Sequence, residues 1–166
     1  MVKYAFIFQD SFAITVEPFV VLDAQTGDEN GARIQIRRVN RSAEPGTELG
    51  EPLWRGDLFR LTDGPAGNWQ RAHYHPRFQN GQAGSRVLDP QLSQDPINWA
   101  LTQLDDLRSL AMRAAAPDLA AASGDLQPQV DAVRDEIRVA LQKCAAASPP
   151  SRRVPGAEIG TTISGG

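Results

Sequence analysis

The pattern of apolar residues changes once along this chain, at Asp89-Pro90, and this change restricts the fold more than any other feature. Before it, short runs rich in Val, Ile, Phe and Leu are separated by turn residues, which is typical of β-strands. After it, apolar residues recur at spacings of three and four, which indicates amphipathic helices. Because strands and helices occupy separate parts of the chain, the pattern predicts an α+β fold.

The first part of the chain is predicted to form an antiparallel sheet of about five strands. A break at Gln9-Asp10-Ser11 divides the first apolar run in two, and a turn at residues 25–31 precedes the third strand. A polar loop then leads to the fourth strand, and the turn at Asp63-Gly64-Pro65 leads to the fifth. The expected strands lie within residues 4–22, which hold two, and within 32–39, 53–61 and 69–78.

The second part of the chain is predicted to form two C-terminal helices that pack against each other or on the sheet. Asp95 suits the N-cap of the first helix and Pro96 its first helical position. The second helix is expected to begin between Ser123 and Gln127. Apolar faces are predicted at Ile97, Leu101, Leu104, Leu107 and Ala111 in the first helix, and at Leu126, Val130, Val133, Ile137, Leu141 and Cys144 in the second.

The length of 166 residues fits one domain and a tail. Residues 1–147 are predicted to form a single α+β domain. Residues 148–166 are rich in Gly, Pro, Ser and Thr, so we expect a flexible, disordered tail. Its last residues, Gly165-Gly166, resemble the end of a conjugatable ubiquitin-like tail, but a pair of helices before them does not suit that fold.

Charge and cysteine content exclude several classes of protein. The formal net charge of -3 and the pI of about 5.4 argue against general DNA binding, which normally needs a basic excess. Of 17 basic residues only Lys3 and Lys143 are lysines, a bias typical of GC-rich bacterial genomes. The single cysteine, Cys144, excludes a disulfide framework and favours a cytoplasmic location. No stretch approaches the roughly 20 apolar residues of a membrane span.

Both histidines of the chain, His73 and His75, lie two residues apart in the predicted fifth strand. The period of two in a strand places them on one face, together with Arg71 and Arg77. Four cationic side chains on one face repel each other unless a carboxylate lies opposite, and Asp57 is the nearest candidate in the preceding strand. We therefore predict a candidate site formed by His73, His75, Arg71, Arg77 and Asp57.

One interpretation of this site is metal binding by His73 and His75. Gly67, followed after five residues by the two histidines, is similar to the opening of the cupin metal motif. Cupins continue with a glutamate, where this chain has Gln79 and Asn80, and with a third histidine, which this chain lacks. The carboxylates that could complete a two-histidine site are those of Asp57 and Asp89.

A second interpretation is metal-independent cleavage of a phosphodiester, as in ribonuclease toxins. His73 and His75 would act as general base and acid, and Arg71 and Arg77 would stabilise the charge that develops on the phosphate. The acidic balance of the chain argues against this interpretation, because most such enzymes are strongly basic.

A third interpretation, which the sequence favours, is that the protein is a soluble binding or regulatory module. A strand that alternates Arg and His can be a solvated face whose cations pair with Asp57, Asp63 or carboxylates of a neighbouring helix. Such a face would bind an unknown protein or a small anionic ligand. The sequence leaves open whether the protein is an enzyme, whether it uses a cofactor and whether it forms oligomers.

The segment from residue 53 to 105 resembles a bacterial domain family of unknown activity. The resemblance rests on the strand Trp54-Arg55-Gly56-Asp57-Leu58, the turn Asp63-Gly64-Pro65 and the strand that runs from Arg71 through His73 and His75 to Phe78. It also includes the residues from Asp89 to Pro96 that lead into a helix. The resemblance implies that this segment is a coherent module, and it implies no particular reaction.

Overall fold

The structure is a computed structural model that describes residues 2–65 and 67–147. The predicted tail at residues 148–166, including Gly165-Gly166, lies outside the described residues. The strands are β1 (Tyr4–Phe8), β2 (Phe12–Val21), β3 (Glu29–Val39), β4 (Leu49–Leu61), β5 (His73–His75), β6 (Phe78–Gln79) and β7 (Gln82–Ala83). The helices are α1 (Pro90–Gln94), α2 (Pro96–Leu104), α3 (Leu107–Arg113), α4 (Pro117–Ala132) and α5 (Arg134–Ala146).

The main sheet has five antiparallel strands in the order β1-β2-β3-β4-β5, so each strand pairs with its neighbour in sequence. This confirms the α+β class and the five-stranded antiparallel sheet. β3 begins at Glu29 and β4 at Leu49, both earlier than predicted, because ladder pairing continues past the Gly- and Pro-containing residues. The short strands β6 and β7 form a separate two-stranded sheet.

Pro18 lies inside β2 although proline cannot donate to a sheet ladder. The Val16 carbonyl accepts a hydrogen bond from the Lys3 N–H on the β1 side of the strand. The nitrogen of Pro18, two residues further along, points to the same side, beyond the last residue of β1 that pairs with β2. No ladder bond is therefore lost, which explains why a proline fits into a strand with neighbours on both sides.

Between residues 67 and 147, the described helical part contains five helices rather than the two that the apolar spacing predicts. Asp95 caps α2 as expected, but Asp106 accepts a hydrogen bond from the Ser109 N–H and begins a new helix, α3. The predicted second helix begins earlier, at Pro117, and is divided at Val133 into α4 and α5. The apolar spacing continues through these breaks, so it predicts which residues are buried and does not reveal where each helix ends.

The helices cover one face of the main sheet. α5 packs on β2 and β3, while the α2 side chain Trp99 stacks on Trp54 of β4 at 6.0 Å between ring centroids and on Tyr74 of β5 at 4.9 Å. Gly56 lies beneath the Trp54 ring, and a Cβ there would approach that ring to 3.3 Å. We call this the helix-covered face; its strand residues include Ile14, Val16, Ile34, Ile36, Trp54 and Tyr74.

The opposite face of the sheet is polar and nevertheless largely buried. We call it the polar face; its residues include Thr15, Glu17, Arg33, Gln35, Arg55, Asp57, His73 and His75. Gln35 is 1% exposed and Asp57 2% exposed. Buried polar groups need partners, so this face must be held together by hydrogen bonds and ion pairs. This face contains both histidines of the predicted site.

Candidate metal centre

Strand register places the two histidines beside residues of β4 on the polar face. His73 pairs with Asp57 and His75 pairs with Arg55 in the antiparallel β4–β5 ladder. Across β3 the same rows continue with Arg33 opposite Asp57. The pairing confirms that a carboxylate lies opposite the histidines, as the sequence predicts for Asp57.

The carboxylate of Asp57 is the centre of this cluster. One oxygen, Oδ1, accepts a hydrogen bond from Arg33 Nε at 2.6 Å. The other, Oδ2, lies 3.1 Å from His73 Nε2 and 3.6 Å from His75 Nε2. Burial alone raises the pKa of Asp57, but the contacts with His73, His75 and Arg33 outweigh it and lower the pKa well below its ordinary value. Asp57 is therefore a carboxylate anion held among three nitrogen groups.

Backbone carbonyls determine which ring nitrogen of each histidine carries a hydrogen. His73 Nδ1 lies 3.0 Å from the Arg71 carbonyl oxygen, and His75 Nδ1 lies 3.1 Å from the Gly84 carbonyl oxygen. A carbonyl oxygen only accepts hydrogen bonds, so Nδ1 is the donor in both rings. In the neutral tautomer the lone pair of each ring is then on Nε2, which faces Asp57 Oδ2; in the protonated ring Nε2 carries a hydrogen and donates it to Asp57, and this hydrogen bond lowers the pKa of that carboxyl group.

Three electron-pair donors thus converge on one point. Ligand atoms of Asp57, His73 and His75 lie within 4.8 Å of one another. Lone pairs that face each other at this distance require a cation between them, either a proton or a metal ion. The arrangement matches the pattern in which a metal-binding histidine donates its other N–H to a backbone carbonyl.

Aromatic rings hold the cluster in place. The His73 ring packs edge-on against Phe59, with centroids 6.0 Å apart, and edge-on against His75 at 5.1 Å. The Arg33 guanidinium lies 3.6 Å above the Phe19 ring, which is stacked on Phe59 at 5.6 Å. These contacts restrict the rotation of the groups that bind Asp57.

A glycine makes possible the aromatic platform, which is the stacked pair of Phe19 and Phe59. Gly31 of β3 lies in register between Phe19 of β2 and Phe59 of β4. A Cβ at Gly31 would collide with the carbonyl oxygen of Leu58. The absence of a side chain there lets the two phenylalanine rings meet across the central strand.

The cluster opens into a pocket of about 450 Å³. Four arginines and three acidic residues lie in its wall along with the two histidines. The arginines are Arg33, Arg55, Arg71 and Arg86, and the acidic residues are Asp23, Glu29 and Asp57. His73 and Asp57 are buried at its base, with side-chain exposures of 4% and 3%. The site is therefore a pocket with buried ligand side chains rather than an exposed strand face.

The structure brings together four of the five predicted site residues. Asp57, His73 and His75 form the cluster, and Arg71 lines the pocket, where it donates to the Thr26 carbonyl at 3.0 Å. Arg77 lies elsewhere: its Nε donates to the Arg113 carbonyl at 2.7 Å, and it lines a separate groove. The strand that carries the histidines ends at His75, so the alternation that predicts Arg77 on the same face does not continue.

One further prediction about an individual residue, Asp89, is corrected. Asp89, proposed as an additional metal ligand, instead accepts hydrogen bonds from the Gln91 N–H and from Trp99 Nε1, and so caps α1. The similarity to cupins does not extend to the fold, since cupins are double-sheet jelly rolls and this sheet is a single five-stranded meander.

Sequence reasoning missed Arg33 and Arg55 as parts of the site. Both alternate with apolar residues that face the helices, as in Arg33, Ile34, Gln35 and Ile36, and this period of two is a visible signal. The alternation predicts that these arginines share a face. The residues of the neighbouring strands that lie beside these arginines depend on the hairpin register. The long loops of this chain do not determine that register.

The chain matches no profile of a known protein family, no curated protein and no solved structure. The resemblance of residues 53–105 to a bacterial domain family therefore stays a prediction. In the part of the chain that the structure describes, the helices are too short or too polar to cross a membrane.

Proposed function

We propose that the protein binds a divalent transition-metal ion, with zinc as the best fit, through His73 Nε2, His75 Nε2 and Asp57 Oδ2. The observation that carries this proposal is the pair of Nδ1 contacts with backbone carbonyls, which turn both Nε2 atoms towards one carboxylate oxygen. Two histidines and one carboxylate are a ligand set that proteins use for zinc when one coordination position stays open.

The distances support tetrahedral coordination. Zinc lies about 2.0–2.1 Å from nitrogen and oxygen ligands, so two ligands of a tetrahedral ion are about 3.3 Å apart. The Oδ2–Nε2 distances of 3.1 Å to His73 and 3.6 Å to His75 lie on either side of this value. Arg33 holds the other oxygen of Asp57, which leaves one oxygen for a monodentate bond.

The same contacts favour a metal site over the other interpretations. In metal-independent phosphodiester cleavage, two histidines act on separate atoms of the substrate, whereas here both Nε2 atoms point to the same oxygen. An open module for protein recognition would expose its recognition residues, whereas the His73 side chain is 4% exposed. A small-ligand site with a metal ion accounts for the buried convergence of these groups.

Metal titration tests the proposal directly. We expect metal-free protein to bind one Zn²⁺ per chain in isothermal titration calorimetry, and Co²⁺ to give the visible absorption of a tetrahedral site. His75→Ala and Asp57→Asn should weaken binding by more than about 100-fold, because loss of a ligand exceeds the 10- to 100-fold effect of an outer partner. Asp63→Asn is the matched control, since Asp63 is exposed and outside the cluster.

Circular dichroism of each variant separates loss of a ligand from loss of folding. The proposal fails if the folded parent chain takes up neither Zn²⁺ nor Co²⁺ at a stoichiometric level. It also fails if His75→Ala and Asp57→Asn bind these ions with the same affinity as the parent chain. Binding by Asp63→Asn must equal that of the parent.

A further inference from the structure

The pocket above the candidate metal centre has more cationic than anionic side chains, although the whole chain is acidic. Four arginines from separate parts of the chain face three carboxylates there, against a formal net charge of -3 for all 166 residues. A bound divalent ion would add to this local excess. A local positive field inside an acidic protein favours a small anion over a cationic or neutral ligand.

The carboxylates of the pocket already have partners. Asp23 accepts hydrogen bonds from the Gln25 N–H at 2.8 Å and from the Thr26 N–H at 3.1 Å, so it stabilises its own turn. Glu29 lies 3.5 Å from Arg71 NH1. Asp57 is bound by Arg33 and faces the histidines. Arg33 and Arg71 are therefore matched by Asp57 and Glu29, and among the described residues Asp23 forms no ion pair within 4.0 Å with the other two arginines.

Of the four pocket arginines, Arg55 and Arg86 are the two that form no ion pair among the described residues. Among residues 2–65 and 67–147, no ion pair within 4.0 Å involves either of them. Arg55 Nε donates to the neutral Gln35 amide at 3.1 Å, and its guanidinium lies 5.0 Å from the centroid of the Phe78 ring. Arg86 is exposed and lines the same pocket. Two guanidinium groups are thus available on the wall that also contains His75.

We infer that this pocket binds the phosphate group of a small phosphorylated molecule, with one oxygen on the metal ion and others on Arg55 and Arg86. This inference rests on the proposed metal site, whose three ligand residues line the same pocket as Arg55 and Arg86. Guanidinium groups bind phosphate oxygens in pairs of parallel hydrogen bonds. A phosphate dianion has enough oxygens for a metal ion and two arginines at once, whereas a carboxylate has only two.

The size of the pocket favours a small molecule over a nucleic acid. A volume of about 450 Å³ is typical of small-ligand sites. A polymer would need a basic stripe that extends beyond the pocket, and the overall acidity of the chain opposes this.

The test uses the full chain in its zinc-loaded and metal-free forms, with metal content measured first. Phenyl phosphate is titrated by calorimetry, and benzoate and a short single-stranded RNA serve as comparison ligands. We expect phenyl phosphate to bind the zinc form at least tenfold more tightly than benzoate. Arg86→Gln and Arg55→Gln should each weaken phosphate binding by about tenfold, the effect of one charge-assisted contact, with zinc stoichiometry unchanged.

Arg77→Gln is the matched control, because Arg77 lies in the separate groove, and it should leave phosphate affinity unchanged. Arg86 is exposed, so its variant tests the inference even if Arg55→Gln does not fold. The inference is overturned if the zinc form binds no phosphate, if benzoate or RNA binds more tightly than phenyl phosphate, or if folded Arg86→Gln binds phosphate as the parent does. A chain that takes up no zinc refutes the metal site instead, and phosphate binding by that chain would show that the arginines act alone.

Discussion

The two faces of the main sheet are both buried but by different means. On the helix-covered face, side chains such as Trp54 and Ile34 are excluded from water by the apolar surfaces of α2 and α5. On the polar face, Asp57 and Gln35 are covered mainly by other polar side chains of the sheet and by the pocket wall. The first face depends on shape and volume, and the second on hydrogen bonds and ion pairs such as those of Asp57 and Gln35. One sheet therefore combines an apolar face stabilised by packing with a polar face stabilised by paired polar groups.

The largest expected effect is on the helix-covered face. Trp54→Ala should lower the free energy of unfolding by about 3–5 kcal/mol, because it leaves a cavity where the ring stacks on Trp99. Urea denaturation followed by circular dichroism measures this loss. Val139→Ala on the exposed side of α5 is the control, with an effect of about 0.5 kcal/mol or less. A loss below about 1 kcal/mol for Trp54→Ala would contradict the role of this face.

The next effect distinguishes the faces by their response to metal. Arg33→Met should destabilise the metal-free protein by about 3 kcal/mol, because it leaves the buried Asp57 carboxylate without its guanidinium. Added Zn²⁺ should recover part of this loss, since the ion gives the carboxylate another cation. The same addition should not narrow the stability gap between Trp54→Ala and the parent. Equal recovery in both variants would remove the distinction between the faces.

A smaller effect is expected beneath Arg33. Phe19→Leu removes the ring that lies 3.6 Å from the Arg33 guanidinium but keeps an apolar side chain of similar size. We expect a loss of about 1 kcal/mol, typical of one cation–π contact, and a zinc affinity only a few-fold weaker. Parallel urea and zinc titrations measure both quantities. A larger loss than in Arg33→Met would show that the platform matters more than the ion pair it supports.

The smallest effect concerns an ion pair on the protein surface. Arg38 donates to both carboxylate oxygens of Asp118 at 2.7 and 3.0 Å and so links β3 to the first turn of α4. The hydrogen bond from Arg38 lowers the pKa of Asp118, so its stabilising contribution is present above about pH 4 and is lost as the pH falls below this. Because both side chains are nearly half exposed, Asp118→Asn should cost less than about 1 kcal/mol.

Urea denaturation at pH 7 and pH 3 checks the Asp118 prediction, and the difference between variant and parent should shrink at pH 3 and in 1 M salt. An effect at pH 7 as large as that of Arg33→Met would mean that burial does not determine the strength of these ion pairs.

The sequence predicts the class of fold and the centre of the site, because both depend on local patterns. Alternation in the strands and the spacing of Leu101 and Ile137 in the helices indicate which residues are buried. The positions of helix ends depend on individual caps such as Asp106, whose side chain accepts a backbone hydrogen bond and begins a new helix. The spacing of apolar residues does not show where such a cap lies.

The site is predictable where it lies within neighbouring strands and unpredictable beyond them. His73, His75 and Asp57 belong to the adjacent strands β4 and β5, so alternation alone suggests that they meet. The contribution of Gly84, whose carbonyl selects the tautomer of His75, depends on a loop that no periodic pattern describes. The prediction that Arg77 belongs to the site is wrong for the same reason, since β5 ends before this residue.

The shortness of β5 has a consequence for how the edge of the sheet opens. β5 has three residues, and among the residues that the structure describes its outer side pairs through one bridge, between Tyr74 and Val87. Such an edge has few backbone hydrogen bonds and is expected to open locally far more often than the whole domain unfolds. Two of the proposed metal ligands are in this strand and the third is in β4. An ion bound there would link β5 to β4. The concentration of free metal ion would then determine how long this edge of the sheet stays closed.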